Sequence, residues 1–143
     1  MSISAVGPVG WGIHPRTNLY VKASYSNFGR GRIEFAAPGG TENLSRKDPH
    51  SVCTVADVRD ACYVFDWVYS TIPGGYAWAT GTSMAVPHVS GVAAQYIGAA
   101  GGKLNPNVVE ALLKKFANRS KHKHPDPFYG FGVVDATAAD KPY

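Results

Sequence analysis

With 143 residues, 45% of them hydrophobic, the chain is long enough for one packed domain or part of one, and its 16 Gly and 10 Pro speak for many turns and against disorder. Its net charge of +4 is dispersed except for Lys114, Lys115, Arg119, Lys121 and Lys123 with His122 and His124. That run reads as a solvated helix end, since basic residues suit a helix C-terminus, so no nucleic-acid partner is expected. No stretch reaches the ~18 uninterrupted apolar residues of a membrane span; the nearest, residues 84–101, is broken by Pro87, His88, Ser90 and Gln95. A soluble chain with no membrane partner is expected, and "MSISAVGPVGWG" has neither the basic nor the apolar region of a signal peptide.

Ile3 to Val6 alternates and meets Gly7-Pro8, which predicts a short strand and a turn. A second short strand is expected at Leu19 to Ala23. "SYSNFGRGR" follows as a polar loop, and "IEFAAPGG" predicts a brief buried strand stopped by Pro38-Gly39-Gly40. Residues 41–63 are polar and charged and read as an inserted surface loop that holds both cysteines, Cys53 and Cys62. Their spacing fits neither a zinc site nor a CxxC redox motif, which leaves a local disulfide or two free thiols. A bridge would close a loop of about ten residues, for which chain entropy gives roughly 2.5 kcal/mol. "YVFDWVYSTI" is β-branched and aromatic and predicts a strand, ended by Pro73-Gly74-Gly75.

From Thr82 the period changes. Met84, Val86, Val89, Val92, Ala93, Tyr96 and Ile97 recur at helical spacing, while Ala85, Gly91, Ala94 and Gly98 keep the other faces small, so the helix is expected to be covered on all sides. Asn105-Pro106 is a cap and first-turn pair for a second, surface helix whose apolar stripe is Val108, Val109, Leu112, Leu113 and Phe116. "FYGFGVVDATAAD" predicts a Gly-rich turn, a short strand and a last helical turn capped by Asp135. The order of elements is that of an α/β domain, with too few strands for a complete doubly wound sheet; residues 1–143 look like one side of a domain.

"GTSMAVPHVSG", residues 81–91, holds the candidate chemistry. Gly-Thr-Ser ahead of an apolar helix, taken alone, reads first as a plain helix cap and only second as a nucleophile, and three features favour the second. Gly81 lets the turn approach a substrate, a hydroxyl in a first helical turn sits in a field that stabilises negative charge, and Pro87 is tolerated only near a helix start, which places that start at residues 82–84. The motif is therefore not the strand-elbow G-x-S-x-G of α/β-hydrolases.

"GTSMAVPHVSGVAA" resembles the nucleophile motif of the subtilisin-like serine peptidases, the subtilases, and other stretches resemble that family in the same order: "ISAVGPV", "ASYSNFG", "IEFAAPGG", "STIPGGYAWATGTSM" and "FYGFGVVDATAA". The resemblance covers residues 3–40 and 68–140. It implies the C-terminal portion of a subtilisin-like, three-layer parallel-sheet domain, incomplete, and a serine endopeptidase acting on polypeptide substrates. By residue it implies Ser83 as nucleophile, its own N–H as one oxyanion donor, Thr82 as a weak hydroxyl contact and Met84 on the leaving-group side. His88 matches a structural position. Five residues along a helix turn it about 140° from Ser83.

The family also needs an Asp at an early strand end, a His at an "HGT"-like helix start and an oxyanion Asn in a "GN" turn, all N-terminal to these stretches. None is found here, so the isolated chain is expected to be nearly inert, and its partner would be the missing N-terminal half of the domain, from the same gene or a separate chain. The alternative is a truncated product or pseudoenzyme that serves as a binding or structural piece. His14, His50, His122 and His124 are substitute bases by type only, and Asp57, Asp60 and Asp66 read as loop and strand-edge charges. No cofactor is expected for the chemistry. Calcium stabilises many members of the family and Glu34 stands near a position that contributes to one such site, but one carboxylate defines no metal site. The resemblance implies an extracellular protein, in which the Cys53–Cys62 bridge would be favoured.

Overall fold

The computed structural model describes residues 1–42, 51–118 and 125–138. In chain order the elements are β1 (Ile3–Gly7), β2 (Val21–Lys22), β3 (Phe35–Pro38), β4 (Val52–Val55), β5 (Val58–Ala61), a 3-10 helix (Cys62–Asp66), β6 (Val68–Ile72), β7 (Gly75–Ala79), α1 (Thr82–Ala99), α2 (Pro106–Phe116) and a final 3-10 turn (Ala136–Ala138). The strands group as a three-stranded sheet in the order β2-β1-β3 and as two hairpins, β4-β5 and β6-β7. By contact density the chain forms two compact units. One comprises 1–4, 27–37 and 86–143; the other comprises 5–26 and 38–85.

In the first unit the aromatic and branched residues of the two helices supply the core. Tyr96 of α1 and Phe116 of α2 stack with ring centroids 6.1 Å apart, and Val109, Leu112 and Leu113 of α2 are buried. Asn105 caps α2 by accepting the Asn107 N–H at 2.9 Å, with Pro106 in the first turn, so the start signal reads as expected. The buried stripe is narrower than expected, because Val108 is 44% exposed. Lys114 and Lys115 occupy the last turn of α2, where cations suit the helix dipole; Arg119 and residues 121–124 lie outside the described residues. The C-terminal segment, expected to hold a short strand, joins by isolated bridges: Phe35 to Gly130, Ala36 to Val133 in parallel, and Asn118 to Val133.

Helix α1 departs from expectation. Ala85, Val89, Val92 and Tyr96 line one buried face, while Val86, Pro87, Ser90, Gly91, Ala94 and Gly98 are exposed. The helix is thus covered on one face and not on all sides; a uniformly apolar helix offers no polar stripe from which its bare face could be foreseen.

β1 carries no alternation, since all five of its residues are buried. The polar members are accommodated by bonding: the Ala5 N–H donates to Ser26 Oγ at 3.0 Å, and within the first unit Ser4 Oγ donates to the Phe128 carbonyl at 2.6 Å. Val6 and Gly7 pair antiparallel with Lys22 and Val21. The segment read as a loop at 41–63 contains the β4-β5 hairpin, turned by Ala56 and Asp57 at φ 47° and 67°. Two positive-φ residues are what a type I′ turn requires, and Ala-Asp is an uncommon choice for it. Cys53 of β4 and Cys62 are joined as a disulfide. The expected strand from Tyr63 is split: residues 62–66 coil into a 3-10 helix that buries Cys62, Val64, Phe65 and Asp66, and only then does β6 begin. Pro73-Gly74 does not end the structure but turns it, since Ile72 pairs with Gly75 and Tyr69 with Trp78 across β6-β7.

Candidate active site

Thr82, Ser83 and Met84 form the first turn of α1, with Ser83 exposed and its two neighbours half-buried. The first N–H groups bonded inside the helix are those of Met84 and Ala85, both to the Gly81 carbonyl, at 3.0 and 3.3 Å. Thr82 and Ser83 therefore contribute N–H groups that point out of the helix N-terminus, where the backbone field favours negative charge by about 0.3–1 kcal/mol. The N–H that would close the helical bond to the Ser83 carbonyl belongs to Pro87, which has none, so the chain around Ser83 is held mainly from its N-terminal side.

That side is a stack of backbone turns. Gly81 adopts φ 145°, a region that side chains disfavour. Its N–H donates to the Gly39 carbonyl at 2.9 Å and to Tyr25 Oη at 3.0 Å. Tyr25 Oη lies 2.7 Å from the Gly39 carbonyl and 2.7 Å from that of Gly40. The N–H groups of Gly39 and Gly40 in turn donate to the Val6 carbonyl of β1, at 2.8 and 3.2 Å. Gly39 permits this stacking because it has no side chain; a Cβ there would stand 2.6 Å from Ala5 Cβ and 2.7 Å from the Gly81 carbonyl oxygen. Thr80 Oγ1 donates to Glu42 Oε1 at 2.8 Å and ties down the residue before Gly81. Burial pushes the Tyr25 hydroxyl up to about 12; the Gly81 N–H bond acts against this and the Glu42 charge adds to it. At any ordinary pH the phenol therefore keeps its proton and donates.

An exposed hydroxyl at a helix N-terminus, on a turn clamped to a buried strand, can present a nucleophile to a carbonyl and can stabilise the oxyanion that forms. The other candidates stand elsewhere. His88 is exposed on α1, on the far side of the helix by rotation. His14 is exposed in the turn where its N–H meets the Gly10 carbonyl at 2.8 Å. His50, His122 and His124 lie outside the described residues. Asp57 and Asp60 belong to the β4-β5 hairpin. Asp66 is not a strand-edge charge: it is fully buried, and its two oxygens accept the N–H groups of Gly10 and Trp11 at 2.8 Å each. Those two bonds make its burial affordable and give it a structural task. Tyr25 and Gly39 escaped the sequence reading, which saw only a polar loop and a strand stop; the Pro38-Gly39-Gly40 run was the available sign of a close backbone approach.

Glu34 lies beside the start of β1. Its carboxylate accepts the Ser2 N–H at 2.8 Å, and among the described residues no three His, Cys, Asp or Glu side chains cluster.

Fold and motif together define a serine-peptidase type of α/β domain, present in part. The chain belongs to the Subtilase family, whose profile matches residues 13–132. It is 35% identical over 121 residues to an extracellular basic protease of Dichelobacter nodosus, a match that covers 82% of this chain and 17% of that protein. To the alkaline serine exoprotease A of Vibrio alginolyticus it is 48% identical over 105 residues, covering 73% of this chain and 15% of the relative. Among solved structures, the epidermin leader peptide processing serine protease of Staphylococcus aureus superposes with a TM-score of 0.69 at 26% identity, over 96% of this chain and 29% of that one. The chain thus spans less than a fifth of the length of these two relatives.

Proposed function

We propose that this chain is the nucleophile-bearing part of a secreted serine endopeptidase. Ser83 attacks the scissile carbonyl of a polypeptide, its N–H is one oxyanion donor, and Thr82 and Met84 flank the substrate. The observation that supports this most directly is an exposed Ser83 in the first turn of α1 within a family of serine peptidases. Mechanistically, a serine hydroxyl needs a base. A His oriented by an Asp would take the Ser83 proton as the C–O bond forms and return it to the leaving amine as the C–N bond breaks; an oxyanion Asn would share the negative charge with the Ser83 N–H. We place these three groups on polypeptide that completes the domain. The bare apolar face of α1 supports that reading, as does the open cavity of about 250 Å³ lined by Met1, Ile3, Val86, Val89, Ser90 and Ala93. On figures from subtilisin itself, loss of the base costs about 10⁶-fold in kcat, and loss of an oxyanion side chain about 10²- to 10³-fold. Residues 1–143 alone should therefore be nearly inactive. Secretion is supported by relatives named as extracellular proteases.

The test is cleavage of casein by the protein isolated from the cells that make it. Activity that disappears in Ser83→Ala is the expected result; activity that survives Ser83→Ala refutes the assignment. A second reading is a non-catalytic truncated product. It is separated from the first by the coding DNA upstream of Met1: an in-frame extension with those motifs supports the peptidase, and stop codons support the truncated product.

A further inference from the structure

We propose that Tyr25 is a positioning residue for the Ser83 nucleophile, acting through Gly81; this deepens the peptidase reading and rests on it. The hydroxyl is a three-way joint. It accepts the Gly81 N–H at 3.0 Å and lies 2.7 Å from the carbonyls of both Gly39 and Gly40, to which its single proton is offered. Both of its roles, donor and acceptor, are thus used on backbone.

The joint matters because of what it holds. Gly81, at φ 145°, lies in a region where glycine's backbone freedom is widest, so the turn has little intrinsic stiffness. The Gly81 carbonyl starts α1 through the Met84 and Ala85 N–H groups, and Ser83 lies two residues beyond Gly81. Fixing the Gly81 peptide therefore fixes the direction in which the first turn of α1 leaves, and with it the Ser83 hydroxyl and N–H. Tyr25 is itself fixed from β1: the Ala23 N–H donates to the Ala5 carbonyl at 3.0 Å, and the Ala5 N–H donates to Ser26 Oγ. The path from buried strand to nucleophile thus runs Ala5, the 23–26 loop, Tyr25, Gly81, Ser83. A second tie, Gly81 N–H to Gly39, accompanies it, so removal of the hydroxyl should loosen the turn without unfolding the unit. The raised pKa of Tyr25, caused first by burial, keeps the donor protonated while the nucleophile works.

The test uses the protein as isolated and a fluorophosphonate probe, with the maximal labelling rate kinact and the half-saturation constant KI measured separately for wild type and Tyr25→Phe. The expected result is a kinact about tenfold lower, equivalent to about 1.4 kcal/mol, with KI within twofold and a protein that stays cooperatively folded, its melting temperature lowered by only a few degrees because backbone groups lose a partner. A kinact within threefold of wild type, or a loss carried by KI, overturns the proposal. 3,5-Difluorotyrosine at position 25 keeps the ring and the hydroxyl and supplies a readout independent of folding. Its more acidic hydroxyl loses the donor on ionisation, so kinact should acquire a descending limb at that ionisation, absent from wild type; no such limb overturns the proposal. A wild type that does not label overturns the peptidase reading and this inference together, a result distinct from equal labelling of wild type and variant.

Discussion

Substituting Gly39 by Ala separates the backbone stack beneath Ser83 from ordinary packing. The added Cβ would stand 2.6 Å from Ala5 Cβ, 2.7 Å from the Gly81 carbonyl oxygen and 3.3 Å from Ala85 Cβ, where ordinary contact begins at 3.4 Å. The first two neighbours are a side chain fixed on a buried strand and a backbone atom, so neither can rotate aside. Relief needs a backbone shift of roughly 0.7 Å between the 39–40 turn and Gly81, and overpacking of this kind costs about 1–3 kcal/mol. The same shift moves the start of α1. Since a displacement of about 1 Å at a reacting group costs on the order of 10²-fold in rate, labelling of Ser83 by a fluorophosphonate should slow by about 10- to 100-fold. Urea unfolding and labelling kinetics on the same preparation are the assays. A Gly39→Ala protein with wild-type midpoint and wild-type labelling rate would refute the stacked-turn account.

Two further outcomes are expected. Replacing Cys53 and Cys62 together by Ser removes a bridge of sequence separation 9 and should lower stability by roughly 2.5 kcal/mol, read as a urea midpoint shift; an unchanged midpoint would show that the β4-β5 hairpin holds without it. At alkaline pH the sign follows from Tyr25. Its folded-state value lies near 12 against 10.0 for the free phenol, so below pH 10 both states keep the proton and stability is flat; as pH rises toward 12 the unfolded chain releases a proton that the native state retains, and stability falls. Denaturation midpoints between pH 9 and 12 should decline in wild type and decline less in Tyr25→Phe; equal slopes would contradict the burial of that hydroxyl.

Helical segments were the most legible part of the sequence, because period and caps agreed: Asn105-Pro106 and the Thr82 start need only local rules. What failed was what depends on tertiary context. Residues 62–66 have strand-like composition but coil into a 3-10 turn that buries Asp66 against two N–H groups of the 10–11 turn, a partner no local pattern announces. Strand β7 is not foreseen because Pro73-Gly74 reads as a terminator, whereas Pro followed by a positive-φ Gly is also the residue choice of a tight turn. At the site, Ser83 was legible from its motif. Tyr25 was not, since a hydroxyl that bonds only backbone leaves no spacing or charge pattern to find.

The most direct measurement is the mass of the tryptic peptide containing Ser83 after fluorophosphonate treatment of the protein isolated from its source. The expected result is one phosphonyl adduct on Ser83, absent from protein unfolded before treatment and from Ser83→Ala. An unmodified Ser83, or an adduct that forms equally on the unfolded chain, would contradict its assignment as the nucleophile.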